Sequence, residues 1–249
     1  MRSVQFLLTP AAGKRLIARG IAAREDVQRA LWGGRVLVIA GTTNVFVANE
    51  LLRALGEEPA ATPMNFHRGV VTAPGAKLAK EEFLGDLLVD HGKARFVDAL
   101  PEICAELGRG DVIMKGANAV HLASGTAGVL IGNPKAGGTI HEASGAVYAR
   151  RAKLILPVGV EKRVERPVAE LERLVNDPEA EGLRLTQAPG EAFTEIDALR
   201  VLCGCDAEIV ASGGVNGAEG CVYLQARGGD LEKLEAIVEE VRREEPVQV

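Results

Sequence analysis

Apolar residues recur along this chain in two alternating patterns. Residues 35–40 (RVLVIA) form a short, continuous, β-branched run between Gly33-Gly34 and Gly41. Such a run suits a strand buried on both faces. Val45, Ala48, Leu51, Leu52 and Leu55 then repeat at helical spacing, and Gly56 is a natural stop. The order returns further on: 111–114 read as a strand, 119–131 as short Gly-interrupted strands and a loop, 139–150 as a helix and 154–158 as a strand. Ahead of the first strand, residues 10–23 and 24–32 read as two short helices. Residues 57–77, rich in Pro, Ala and Gly, hold a strand candidate at 68–72, and 80–89 and 97–107 read as helices. Strands alternating with helices predict an open, mostly parallel α/β sheet with right-handed crossovers and helices on both faces.

The register changes near residue 180. Residues 183–188 read as a strand, 194–203 as a helix, and 207–212 and 221–226 as two strands around a Gly-rich turn. Residues 230–243 form an amphipathic helix with Leu231, Leu234, Ile237, Val238 and Val241 on one face, and Asp230 is its candidate N-cap. The β-α-β-β-α order predicts a small α+β unit. Asn176-Asp177-Pro178 is the candidate linker. The expected division is an α/β ligand-binding domain over 1–178 and a small α+β unit over 179–249, which can pack on the first as one globule. No internal repeat and no low-complexity segment stands out.

Composition narrows the classes of partner. The 249 residues are 47% hydrophobic and 25% charged, with a net charge of −5. That is ordinary globular usage. Lys and Arg are scattered and the balance is acidic, so nucleic acid is not an expected partner. The apolar run within residues 1–8 lacks an h-region and cleavage site, and no run approaches the roughly 18 residues that span a bilayer. No membrane partner is expected, and the cytoplasm is the expected compartment. The four cysteines, Cys104, Cys203, Cys205 and Cys221, are too few for a disulfide framework. Cys203-Gly204-Cys205 has one residue between thiols where structural zinc sites usually have two, so buried free thiols are expected and no metal is assigned.

Candidate chemistry gathers where strands end and helices begin, the place where open α/β sheets bind ligands. Gly41-Thr42-Thr43-Asn44 lies between the first buried strand and its helix. Free N–H groups and the helix dipole favour an anion there, although simple N-capping uses the same residue types. Lys115-Gly116-Ala117-Asn118 follows the next strand, and a lysine there can meet a phosphate or carboxylate as a point charge. Lys135, Gly137, Gly138 and Thr139 open a later helix as a candidate phosphate cradle, matching neither a Walker loop nor GxGxxG. Glu142 follows in the first turn, and Glu161-Lys162 closes a strand end. Glu142, Glu161 and Lys135 are the catalytic candidates. Gly41, Thr42, Thr43, Asn44, Lys115, Gly116, Asn118, Gly137, Gly138, Thr139 and Lys162 are the ligand-binding ones. His141 lies close by and would transfer protons near neutrality. No His, Cys or carboxylate spacing reads as a metal site, and no cofactor is expected.

The order of these segments resembles the superfamily that contains ribose-5-phosphate isomerase, glucosamine-6-phosphate deaminase and CoA transferases. Its isomerases carry a G-T-G-S-T turn, a G-A-D-E segment, a K-G-G-G-G run before a helix and a D-E-S-K strand end. The matching places are Gly41-Thr42-Thr43-Asn44, Gly116-Ala117-Asn118, Lys135-Ala136-Gly137-Gly138 and Val160-Glu161-Lys162. The resemblance covers residues 33–162 and also extends to the C-terminal βαββα order. It implies a phosphorylated sugar or another small anionic metabolite as ligand, and a homodimer. The catalytic carboxylates of G-A-D-E have no counterpart, since Asn118 and Ala119 stand there and an asparagine cannot abstract a proton. Three functions remain open: a metabolic enzyme of isomerase type, a regulatory protein that uses the pocket without chemistry, and an acyl or CoA transferase.

Overall fold

The computed structural model describes residues 2–77 and 81–248. Its centre is a six-stranded sheet. β2 (Arg35–Val38), β5 (Val112–Met114), β8 (Lys153–Pro157) and β10 (Glu191–Phe193) run parallel, and β3 (Asp86–Asp90) and β4 (Lys93–Val97) add an antiparallel edge beside β2. Pleating sends alternate residues to opposite faces. Val36 and Val38 join one core; Leu37 and Ile39 join the other. The first core is covered by α1 (Pro10–Ala22), α2 (Glu25–Gly33), α3 (Asn44–Ala54) and α7 (Glu195–Cys203). The second is covered by α4 (Leu100–Glu106) and α5 (Thr139–Arg150). The expected α/β sheet with helices on both faces is therefore present.

Two antiparallel sheets flank it. β1 (Ser3–Leu8), β12 (Val222–Arg227) and β11 (Asp206–Ser212) form one. β12 alternates strictly between buried and exposed residues, and its inner face rests on α8 (Leu231–Val241). Leu234, Ile237, Val238 and Val241 of that helix are buried, and the Asp230 carboxylate accepts from Lys233 N, as an N-cap should. β6 (Ala119–His121), β7 (Thr126–Ile131) and β9 (Arg184–Gln187) form the other, with α6 (Val168–Val175) against it.

Three expectations need correction. Residues 68–72 form no strand; they belong to a loop held by Arg68, whose guanidinium pairs with Asp86 and Asp98. The helix expected over 80–89 is instead the strand β3 in residues 86–89, while Lys80 lies outside the described residues. Leu84, Leu87 and Leu88 mimic helical spacing, but His91 and Gly92 both take positive φ (48° and 77°), which closes a tight β3–β4 hairpin. Finally, the C-terminal elements occur in the expected order, with β10 added, but share no sheet of their own. β9 pairs with β7, β10 with β8, and β11 with β12, which in turn pairs with β1. Phe193, Leu199 and Leu224 enter the same core as Val36, so residues 1–178 and 179–249 pack as one body.

α1 and α7 approach at backbone distance. A Cβ placed on Gly20 would stand 2.6 Å from the Ala198 Cβ. Gly145, exposed within α5, faces open space. Gly20→Val is expected to destabilise by about 1–3 kcal/mol through overpacking. Gly145→Ala is expected to stabilise by about 0.5–1 kcal/mol through helix propensity. Urea unfolding of the two variants checks both signs.

Candidate functional site

All four parallel strands discharge at one edge. β2 runs through Ile39, Ala40 and Gly41 into α3; β5 runs into Lys115-Gly116; β8 runs into a single 3-10 turn, Val160–Lys162; β10 runs through Thr194 into α7. β3, being antiparallel, begins there with Asp86. Polar backbone is freed at this edge because the ladder ends.

Asn44 stitches two of the strands. Its Nδ2 donates to Ile39 O at 2.7 Å and Met114 O at 3.1 Å. Both partners are acceptors, so the amide orientation is fixed. Its Oδ1 is buried with no partner, a state that costs about 1–3 kcal/mol. Thr43 is buried beside it, and Gly41 and Thr42 are half-buried. Asp86, fully buried, accepts from Ala40 N at 2.8 Å and forms a two-pronged ion pair with Arg68.

Lysines and glutamates converge next to this brace. Lys115 Nζ donates to Gly116 O at 3.1 Å, and Lys162 Nζ donates to Ala117 O at 3.0 Å. The two ammonium groups thus sit on consecutive carbonyls of one turn. Neither is within ion-pairing distance of a carboxylate among the described residues. Burial, with the Lys162 charge as second cause, lowers the Lys115 pKa to about 8. Lys14, projecting from α1, is also buried, and desolvation lowers its pKa. The charges of Glu161, Lys162 and Glu195 all act on it.

The Glu195 carboxylate is buried at the start of α7 and accepts from Val160 N at 2.8 Å. Desolvation first, and the Glu161 charge second, hold its pKa well above the ordinary carboxylate range. Glycines make the room. A Cβ on Gly13 would collide with the Glu195 carboxylate, and one on Gly159 with the Glu161 carboxylate. Lys14, Glu161, Lys162 and Glu195 thus lie within reach of one another's charge, and Lys115 adjoins them through Lys162.

The sequence candidates divide. Gly41, Thr42, Thr43, Asn44, Lys115, Gly116, Glu161 and Lys162 meet at the strand ends. Asn118 is on the adjoining hairpin, where its Oδ1 accepts from Leu130 N at 3.0 Å and its N–H donates to Gly128 O, so it braces β6 against β7. Gly137, Gly138 and Thr139 open α5 as expected, both glycines at positive φ, and a ring nitrogen of His141 hydrogen-bonds Gly137 O. Lys135 is exposed on that turn. Glu142 lies toward Cys104, whose thiol is pushed up to about 12 by burial and then by the Glu142 charge. No hydrogen bond or ion pair ties Lys135 or Glu142 to the lysine pair among the described residues. All four cysteines are free and buried, and no His, Cys and carboxylate cluster able to hold a metal occurs among the described residues.

Lys14, Asp86 and Glu195 were not legible as site residues. Lys14 is flanked by Ala11, Ala12, Leu16, Ile17 and Ala18 in a helix buried on most of its surface; that charge inside an apolar helix was the available signal. Glu195 reads as a first-turn acid beside the Thr194–Asp197 capping box.

A cleft of about 810 Å³ opens at the opposite, amino-terminal edge of the sheet. Its carboxylates are engaged locally, Asp111 with Arg35 and Asp26 with Arg24 and Lys153, while Arg109 and Arg151 line it with no ion pair among the described residues. No helix among the described residues is long and apolar enough to cross a membrane. The chain matches no family model, no curated protein and no solved structure.

Two outcomes follow from these charges. Lys162→Gln is expected to move the Lys115 titration from about 8 toward its ordinary 10.5, read by NMR of isotope-methylated lysines; no movement would mean that the two groups do not face each other. For Glu195, the folded state binds the proton more tightly than the unfolded state, so stability falls as pH rises from 4.5 through neutrality. Glu195→Gln is expected to lose that part of the pH dependence in urea unfolding across the same range.

Proposed function

We propose that the chain binds a small anionic metabolite, such as a sugar phosphate, at the carboxyl ends of the parallel strands. The observation that carries this reading is the Lys115–Lys162 pair: two cations on consecutive carbonyls, with no carboxylate within ion-pairing distance of either among the described residues. An anion between them relieves their repulsion and repays their desolvation. The Gly41–Asn44 turn supplies donors at the α3 N-terminus, and the Gly137–Thr139 turn opens a second helix for the same charge.

The reading agrees with the resemblance to the sugar-phosphate isomerase, deaminase and CoA-transferase superfamily, and a cytoplasmic homodimer is the setting proposed for it. With Asn118 committed to Leu130, proton transfer in such an enzyme would fall to Glu161 or Glu195. A raised carboxyl pKa near a lowered lysine pKa is the pairing that acid–base chemistry at neutral pH requires. Binding without turnover would instead assign the chain to metabolite sensing.

Calorimetry with inorganic phosphate and with ribose 5-phosphate tests the proposal. Lys162→Met is expected to weaken binding about tenfold or more, the worth of a charge-assisted hydrogen bond. Wild-type affinity is expected to fall as pH rises through about 8, where Lys115 loses its charge. Unchanged affinity in the variant and across pH would overturn the reading.

A further inference from the structure

Lys115 has the features of a nucleophilic amine as well as those of an anion contact. It stands at a strand end, largely buried but not sealed, beside a second cation. Among the described residues its hydrogen bond goes to the neighbouring carbonyl of Gly116 and not to a carboxylate. A lysine desolvated next to another cation is the arrangement that leaves an amine neutral and reactive near neutral pH. Lys162 is placed one carbonyl along the same turn. Glu195 is an acid held protonated by burial, and Glu161 is a carboxylate beside it. Asn44 adds a buried Oδ1 with no partner, an acceptor waiting for a donor such as a hydroxyl. An anion-binding site needs only the cations. The acid and the unused acceptor are left over by that role.

We propose that Lys115 forms a covalent iminium with a metabolite that carries a ketone or aldehyde close to a carboxylate or phosphate ester, the anionic group being held by Lys162. This rests on the anion-binding reading above and assigns its substrate class. The neutral Lys115 amine adds its lone pair to the carbonyl carbon, and the C=O π pair moves to oxygen. A proton shift from nitrogen to oxygen gives the carbinolamine. The C–O bond then breaks, water leaves with one proton from the surrounding acids, and the nitrogen lone pair forms the C=N⁺ bond. The positive iminium acidifies the neighbouring C–H.

The experiment is reductive trapping. The protein is incubated with pyruvate or with dihydroxyacetone phosphate, treated with sodium borohydride, and read by intact mass and peptide mapping. Hydride converts the iminium to a stable secondary amine. A single adduct on the peptide containing Lys115, abolished in Lys115→Arg and reduced about tenfold in Lys162→Met, supports the proposal. The probe that is trapped tells whether carboxylate or phosphate is the recognised anion. Mapping the wild-type adduct does not depend on any variant folding. Phosphate binding by calorimetry with no adduct overturns the iminium and leaves the anion site standing. Adducts spread over surface lysines, or persisting in Lys115→Arg, also overturn it. Neither binding nor an adduct overturns both readings.

Discussion

A parallel sheet covered by helices on both faces can meet water only at its ends. That constraint governs this molecule. Leu37 and Ile39 face one core and Val36 and Val38 the other, so β2 has no side that can carry a polar residue. Charge is displaced to the two sheet edges, and the edges differ. At the amino edge the acids sit in local pairs, Asp111 with Arg35 and Asp26 with Lys153, and Arg109 and Arg151 stand beside them in excess. At the carboxyl edge Lys115 and Lys162 have no carboxylate within ion-pairing distance among the described residues.

The imbalance at the carboxyl edge is built from the backbone outward. Asn44 ties β2 to β5 by donating to Ile39 O and to Met114 O, the latter also accepting from Ile39 N. Asp86 caps Ala40 N, which the ladder leaves free. With strand ends fixed in this way, Lys115 and Lys162 are held on successive carbonyls and cannot swing to a carboxylate. Glycines at 13 and 159 let the carboxylates of Glu195 and Glu161 close in from the other side. Lys14, Lys115 and Glu195 are perturbed by burial first and by neighbouring charges second, which makes them responsive to a ligand charge.

Much of the site was legible because its residues immediately follow recognisable strands. Gly41–Asn44, Lys115-Gly116 and Glu161-Lys162 needed only the periodicity of the preceding run to be placed. Asn118 was legible as a position but not in its role, because a side-chain bond to Leu130, twelve residues away, depends on the hairpin register. Glu142 and Lys135 share a helix start with Gly137 and Gly138, yet a helix start turns its residues in every direction. Only packing decides that Glu142 faces Cys104. Lys14, Asp86 and Glu195 come from α1, β3 and α7, elements with no local mark of a ligand site.

The sequence by itself determined the α/β class, most helices and strands, and the glycine-punctuated strand ends, because apolar period and turn chemistry are local. It could not determine the β3–β4 hairpin, whose leucines fit either period until His91 and Gly92 adopt positive φ. Nor could it decide that β10 would extend the central sheet and bring Glu195 against Val160. Tertiary structure decided those points. Strand pairing and the burial of a charge depend on partners far away in the chain, and desolvation exists only once the chain has closed around the group.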